Sequence, residues 1–242
     1  MEINDRRLNY GRHLITEWTS NIRAENPCVL DVGAGEGIDL DLVKSQLGNS
    51  ARYVAIESWN PFVELLQSKG VEVYDTNIER ESLPLEDESV DLIIANQILE
   101  HTKELFWIMH EFSRVLKVGG QIIIGVPNLA ALHNRILLLL GSQPTCIRAN
   151  GAHIRGFTKS GLNQIVNVWG GYNLNEFRGA NFVPLPPNLA KIAANMLPSF
   201  SVCIFSLFEK KMSYDGATYL EYPQKNKLAT NYFIGKSHSD FN

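Results

Sequence analysis

The feature that most constrains the fold is a glycine cluster that directly follows a short apolar run. Cys28–Val32 has the composition of a buried strand, and it leads into the loop 33–37 (GAGEG) before apolar residues recur at helical spacing over Ile38–Leu47. Glycines at such a turn let the backbone approach a ligand closely, and the helix that follows presents free N–H groups. The sequence therefore predicts a strand, loop and helix that bind a nucleotide-like ligand at the carboxyl end of the strand.

Short apolar runs alternate with helical patterns along the first half of the chain. Further strands are predicted at 53–56, 71–74, 90–95 and 121–126, and helices at 62–66 and 105–116. Beyond Pro127 the pattern predicts helices at 129–140, 158–169 and 190–197, and a strand at 201–208. Near-continuous apolar strands that alternate with helices indicate an α/β, Rossmann-like fold with a mainly parallel sheet and helices on both faces.

Composition and charge limit the class of protein. The chain has 242 residues, of which 45% are hydrophobic and 20% charged, as in an ordinary globular protein. Its three cysteines are far apart, which favours a reducing, cytoplasmic compartment over a disulfide or zinc framework. A net charge of −4 argues against a nucleic-acid partner, and no apolar run approaches the length that spans a membrane.

Three details around the glycine loop narrow the choice of ligand. The dinucleotide fingerprint needs a glycine where this chain has Ile38. Asp31, two residues before the first glycine, would repel a pyrophosphate but suits a ligand with an ammonium group. Glu57 ends the second predicted strand, where an acid accepts hydrogen bonds from a ribose diol. Two plainer interpretations stay open: Asp31 braces the loop, and Glu57 is an exposed acid at a strand end.

These residues resemble the motifs of class I S-adenosylmethionine-dependent methyltransferases. VLDVGAGEG is similar to the first motif of that family, and YVAIES to its ribose-binding second strand. The segment that starts at Thr76 and continues through LPL, VDLIIA, ILEH and RVLKVGG to VPN keeps the family's order. The later AHIRGFTKSGLNQIV looks like a segment of the MetW-like branch, of methyltransferase type 11/23. The resemblance covers roughly residues 10–180 and implies seven strands with an antiparallel last strand.

The resemblance implies a site for S-adenosyl-L-methionine, with S-adenosyl-L-homocysteine as the product. It places the loop residues around the methionine part of the cofactor, Glu57 on the ribose, and Ser58 and Trp59 beside the adenine. Asn77, followed by Ile78, stands where the family usually has an acid for the adenine amino group. The remaining expected cofactor contacts are Asp31, Gly33, Ala34, Gly35, Gly37, Asn96 and Gln97.

Candidate catalytic residues follow the fourth strand. Removing a proton from an oxygen nucleophile requires a base, and Glu100, His101 and His153 are the candidates. Alternatively, His101 caps the following helix and Glu100 is structural. A Glu–His–His set could bind a divalent ion, but sequence spacing gives no independent support and no metal is predicted.

The acceptor is expected to be anionic or glycan-like: a phosphorylated metabolite, a nucleotide-linked sugar or an acidic saccharide. The first 109 residues carry 20 acidic and 9 basic side chains, whereas residues 110–236 carry 5 acidic and 13 basic ones. Arginines favour phosphate and carboxylate groups. Arg148 and Arg155 are therefore candidate substrate contacts, with Tyr10 as a third.

The expected organisation is an N-terminal lid helix (1–25), a methyltransferase domain (26–211) with a substrate-covering insertion around 128–200, and a C-terminal extension (212–242). The extension could pack on a second subunit of a homodimer, cover the acceptor site or hang free. The Leu-rich run 136–140 is expected to be a core helix or a dimer patch. The expected function is O-methylation of a small molecule. The alternatives are a catalytically silent cofactor-binding partner protein and an NAD-dependent oxidoreductase.

Overall fold

A computed structural model describes residues 11–235 as a seven-stranded sheet with helices on both faces. The strands are β1 (Cys28–Val32), β2 (Arg52–Ile56), β3 (Glu72–Tyr74), β4 (Val90–Asn96), β5 (Leu116–Pro127), β6 (Tyr172–Ala180) and β7 (Cys203–Lys210). Their order is β3-β2-β1-β4-β5-β7-β6. The first five strands are parallel, and β7 is antiparallel to both of its neighbours. The predicted fold class is confirmed.

Eight α-helices connect and cover the strands of the described chain. They are α1 (Arg12–Thr19), α2 (Ile38–Leu47), α3 (Asn60–Ser68), α4 (Leu105–Val115), α5 (Leu132–Leu139), α6 (Lys159–Val166), α7 (Pro187–Met196) and α8 (Thr218–Lys225). None of them is long and apolar enough to cross a membrane.

The central strands are buried on both faces because helices pack on each side. Every residue of β1 is buried, and β4 is buried at all positions except Asp91. Two hydrophobic clusters, one containing Leu30 and Phe112 and the other containing Val29 and Phe205, hold the buried apolar side chains. The carboxyl ends of β1, β2, β4 and β5 therefore meet at one edge of a rigid sheet.

One strand was not located by the sequence patterns. Strand β6 lies at the sheet edge, and polar residues occupy much of it, with a register irregularity between Leu174 and Glu176. An edge strand pairs on one side only and needs no continuous apolar run. Its apolar signal is accordingly weak.

The start of the described chain packs beside the sheet edge where the glycine loop lies. Helix α1 buries Leu14, Ile15 and Trp18. Its first residue, Arg12, donates from Nε to Asp39 Oδ1 at 2.7 Å. This contact joins α1 to the helix that follows the glycine loop, and a lid role for the N-terminal segment stays a prediction.

The C-terminal segment packs on α4 of its own chain. Tyr219 is fully buried and donates its hydroxyl to the carbonyl of Val166. Tyr222 stacks on Phe106 with ring centroids 5.3 Å apart, and Phe233 meets Trp107 edge-on at 4.9 Å. Up to residue 235 this segment is therefore part of the domain. It does not hang free, whereas covering of the acceptor site and contact with a second subunit stay predictions.

The Leu-rich helix lies on the surface. Leu139 is 85% exposed and Leu140 is 73% exposed. The expectation of a core helix at 136–140 is therefore wrong, because only one turn of α5 faces the protein, through Asn134. The alternative of a dimer patch stays a prediction.

Candidate functional site

A carboxylate that directly follows the neighbouring strand β2 accepts a hydrogen bond from the glycine loop after β1. Gly35 donates its backbone N–H to Glu57 Oε2 at 2.8 Å. The other oxygen of Glu57 accepts the N–H groups of Ser58 at 3.0 Å and Trp59 at 2.9 Å. Gly33, Gly35 and Gly37 all have positive φ angles. The loop thus presents its backbone beside a carboxylate that is fixed in direction.

A second carboxylate lies buried beneath the loop. Asp31 is 2% exposed, and its Oδ2 has no hydrogen-bond donor among the described residues. Burial, with Asp39 close by, raises the pKa of Asp31 well above its usual value. A buried carboxylate without a donor is costly unless a cationic or N–H group reaches it. An ammonium group would satisfy this carboxylate, and the contact of Asp31 with the ligand stays a prediction.

Sequence reasoning missed the residues that support this pair. Asp39 accepts from Arg12 Nε at 2.7 Å and from Asn96 Nδ2 at 2.8 Å. Asp39 is the second residue of α2, so its proximity to the loop could have been a signal. Nothing in the sequence connects Arg12 to it, because the two are 27 positions apart.

The two residues at the end of β4 take different positions. Asn96 is 9% exposed and points to Asp39, with its Oδ1 only 2.5 Å from where a Cβ on Gly125 would lie. It supports the network under the loop. Gln97 has a φ of 59° and donates its backbone N–H to the carbonyl of Gly125 at 2.8 Å. Such backbone strain recurs at functional sites, and a role for either residue in lining the transfer channel stays a prediction.

The residues expected around the adenine lie at the outer rim of the same edge. Trp59 is 56% exposed and meets Phe62 edge-on at 4.3 Å, and Ser58 beside it is exposed. Asn77 Oδ1 accepts the N–H of Glu79 at 3.0 Å, so one of its lone pairs is already used. Ile78 packs against the core.

The structure brings Glu100, His101 and His153 together. Glu100 and His101 lie in a short helical turn after β4, and His153 lies in the loop before α6. The two imidazole rings meet edge-on, with centroids 4.7 Å apart. Glu100 is 1% exposed, and burial raises its pKa to about 7. Burial, with His153 as a second cause, lowers the pKa of His101. Glu100 can therefore hold or release a proton near neutral pH.

The two arginines predicted to contact the substrate, Arg155 and Arg148, differ in their hydrogen bonds and exposure. Arg155 donates from Nε to the carbonyl of Thr102 at 3.2 Å and from a terminal nitrogen to that of Lys103 at 2.6 Å. It anchors the loop of His153 to the segment after β4. Arg148 is exposed. Tyr10 lies outside the described residues.

Alanine substitutions at two glycines test how closely the glycine loop packs against α3. Both Gly37 (φ +77°) and Gly70 (φ +74°) have positive φ angles, but a Cβ on Gly37 would lie 2.5 Å from Leu66 Cδ2, whereas Gly70 faces open space in the described chain. We expect Gly70→Ala to cost about 1–2 kcal/mol from backbone strain alone. Gly37→Ala should cost a further ~1–3 kcal/mol from overpacking. Urea unfolding of both variants measures the difference, and equal costs would contradict the contact with Leu66.

Comparison with known proteins finds a methyltransferase domain in part of this chain. A family described as "Methyltransferase domain" matches residues 30–124. A probable S-adenosylmethionine-dependent methyltransferase, Rv3030 of Mycobacterium tuberculosis, is 31% identical over 121 residues, which are 49% of this chain and 42% of that protein. A 37.1 kDa protein of transposon TN4556 from Streptomyces fradiae is 30% identical over 106 residues, 43% of this chain and 31% of the other. The matched parts thus span less than half of these relatives.

The fold comparison covers more of the chain. A SAM-dependent methyltransferase from Aquifex aeolicus superposes with a TM-score of 0.55 at 16% identity, over 84% of this chain and 90% of that chain. Identity this low supports the fold alone, whereas the matched family model spans the end of β1, the glycine loop and Glu57. Together these matches support a class I S-adenosylmethionine-dependent methyltransferase, with S-adenosylmethionine as the cofactor that the matched domain implies.

Proposed function

We propose that the protein is an O-methyltransferase that acts on a small anionic or glycan-like acceptor. The observation that carries this proposal is the pairing of two sites at one sheet edge. Asp31 and Glu57 flank the glycine loop after β1, and the Glu100–His101–His153 cluster follows β4 in the middle of the same sheet.

The cofactor-binding half follows from the chemistry of the two acids. Asp31 offers a buried carboxylate oxygen to the ammonium group, and Glu57 offers fixed oxygens to the ribose hydroxyls. S-adenosylmethionine, when bound, supplies a methyl group on a positively charged sulfur. The protein's own task is to align the two reactants and to exclude water.

Methylation of an acceptor hydroxyl requires a group that takes its proton. A hydroxyl is a poor nucleophile until its proton is removed. His101 and His153 each have one ring nitrogen held by a backbone carbonyl, which orients the other nitrogen. In this proposal the cluster receives the acceptor's proton or otherwise lowers the pKa of the acceptor hydroxyl.

A cavity with cationic and amide side chains in its lining supports the proposed acceptor class. It has a volume of about 590 Å³ and begins at Asn128, directly after β5. Arg135 and Lys159 line it, together with the amides of Asn163 and Asn167. No acidic side chain occurs among the described residues of its lining. A cavity of this size, with two cations and several amides, fits a small ligand that carries negative charge or many hydroxyl groups.

Replacing the two cationic side chains that line the cavity tests whether the acceptor is anionic. We expect Arg135→Gln with Lys159→Gln to raise the KM for an anionic acceptor by about 100-fold or more, because charge-assisted hydrogen bonds contribute roughly 1.5–3 kcal/mol each. The affinity for S-adenosylmethionine should stay within about twofold, since the glycine loop is untouched. Arg178→Gln is the matched control, because Arg178 is paired with Glu176 on β6 at 3.0 Å.

The experiment that tests the whole proposal has two stages. Calorimetric titration with S-adenosylmethionine and with NAD first identifies the ligand of the loop. A labelled-methyl assay then compares phosphorylated sugars, nucleotide-linked sugars and uronic acids with their neutral counterparts. Binding without transfer to any acceptor would favour the alternative of a catalytically silent partner protein, and binding of NAD would favour an oxidoreductase.

The cellular location and the oligomeric state are also predicted. The cysteines Cys28, Cys146 and Cys203 are all free in the structure, which agrees with the expected cytoplasmic location. A monomer or a homodimer is expected, and light scattering of the purified protein distinguishes the two.

A further inference from the structure

The Glu100–His101–His153 cluster is built from two segments that the backbone holds together. The carbonyl of Glu100 accepts the N–H groups of Ile154 at 2.9 Å and Arg155 at 3.2 Å. These bonds fix the loop of His153 against the turn after β4. As a result, one potential ligand atom from each of Glu100, His101 and His153 lies within 4.8 Å of the other two.

Both imidazoles have the tautomer that a metal ligand needs. His101 Nδ1 lies 3.2 Å from the carbonyl oxygen of Ala152, and His153 Nδ1 lies 2.8 Å from that of Cys146. A carbonyl oxygen can only accept, so each Nδ1 carries the proton. The lone pair of each neutral ring is therefore on Nε2. Metal-binding histidines are oriented in the same way, by donating the second ring nitrogen to a carbonyl or carboxylate.

Glu100 supplies the independent observation that a ligand is needed. Its side chain is 1% exposed, yet neither carboxylate oxygen has a hydrogen-bond partner in the described part of the chain. Buried carboxylates are otherwise paired or coordinate a metal. Together, the unsatisfied buried carboxylate and the two oriented imidazoles form a set of donors that suits a divalent cation.

We propose that Glu100, His101 and His153 bind one divalent transition-metal ion, of the zinc or iron(II) class. Two imidazoles and one carboxylate select such an ion over magnesium or calcium, which prefer oxygen ligands. Metal–ligand distances are about 2.0–2.2 Å, so the donor atoms must approach one another slightly on binding. His101 is exposed and can make that movement.

The bound ion has a role in the proposed function, on which this part of the inference rests. Three protein ligands leave at least one position open for an oxygen of the acceptor. Coordination would lower the pKa of a bound hydroxyl, so its proton would pass to a water molecule rather than to a side chain. The resulting oxygen anion would form a bond to the methyl carbon as the carbon–sulfur bond of the sulfonium breaks, with S-adenosylhomocysteine as the leaving group. The three residues would then act by holding the cation rather than by taking the proton themselves.

Zinc binding tests the site directly. The full chain, without an affinity tag, is freed of metal and titrated with Zn²⁺ against a competing chromophoric chelator. We expect one equivalent to bind. Glu100→Gln, His101→Asn and His153→Asn should each weaken binding by more than about 100-fold, since losing only an outer-shell partner already costs 10- to 100-fold. His133→Asn is the matched control, because His133 contacts Thr145 instead of the cluster.

Several outcomes would overturn the inference. Absence of one-equivalent binding by the wild-type chain would do so, as would equal binding by the three variants and the control. Co²⁺ substitution adds a spectroscopic check, because a nitrogen–oxygen site gives visible bands without thiolate charge transfer. Affinity for S-adenosylmethionine is measured on every variant. Retained cofactor binding shows that a variant is folded, and it separates failure of the metal site from failure of the methyltransferase assignment.

Discussion

Replacing Glu57 with alanine is expected to abolish measurable binding of S-adenosylmethionine at concentrations that saturate the wild-type protein. Glu57 ends β2 and already holds the backbone N–H of Gly35 at 2.8 Å, so its position is set before any ligand arrives. Two hydrogen bonds from ribose hydroxyls to a carboxylate contribute roughly 1.5–3 kcal/mol each. Their loss raises the Kd by about 100-fold or more.

Isothermal titration calorimetry measures this effect, and two further variants interpret it. Glu57→Gln keeps the shape and accepts without charge, so we expect an intermediate Kd. Glu64→Ala removes an exposed acid on the neighbouring α3 and should leave the Kd unchanged. If Glu57→Ala bound the cofactor within about threefold of wild type, the ribose would have to lie elsewhere, since the predicted loss is far larger.

Asp31→Asn is expected to weaken S-adenosylmethionine binding by about 10- to 100-fold, because one charge-assisted contact with the ammonium group is lost. The same substitution should leave the unliganded protein as stable as wild type or more stable. In the free protein Asp31 Oδ2 has no donor among residues 11–235, so burial of this carboxylate is a cost that a cationic ligand reduces. A change that improves stability while it impairs binding is what a ligand-binding acid produces, and a loop-bracing acid would produce the opposite.

The raised pKa of Asp31 makes both effects depend on pH. The folded protein binds this proton more tightly than the unfolded chain. Stability from this group is therefore complete below the unfolded pKa of about 3.9 and is lost as the pH rises through the folded value. Cofactor binding has the opposite sign, because the ammonium group favours the ionised carboxylate. The charged groups that face Asp31 are Asp39, Arg12 and Glu57.

Calorimetry in buffers of different ionisation enthalpy detects the proton that cofactor binding releases. We expect wild type to release a proton below neutral pH, and Asp31→Asn to release less. Thermal unfolding at several pH values gives the stability arm of the same test. A pH-independent affinity in the wild-type protein, equal to that of the variant, would show that Asp31 does not meet the ammonium group.

Much of the fold and part of the site could be predicted from local patterns. The bounds of β1 and α2 agree with the predicted 28–32 and 38–47. Asp31 and Glu57 were found because each has a fixed offset from the glycine loop or from a strand end. Local spacing is sufficient wherever a residue's position follows from a single strand–loop–helix unit.

Other features depend on contacts between distant segments. The pairing of Arg12 with Asp39 spans 27 positions, and the packing of Phe233 on Trp107 spans far more. The exposure of Leu139 could not be deduced either, because an apolar run has the same composition in a core and on a surface. Such contacts arise only when the elements assemble on the sheet.

By itself, the sequence determined strands β1 to β5 with the helices between them, the glycine loop and the acids that flank it, because these depend on residue periodicity and on short offsets along one segment. Only the tertiary structure decided that Glu100, His101 and His153 form one cluster. The carbonyl of Glu100 binds the N–H groups of Ile154 and Arg155, and this long-range pairing brings His153 to His101 across more than fifty residues. Burial of the Glu100 carboxylate without a donor is likewise a product of assembly, since the solvation of a side chain depends on everything packed around it.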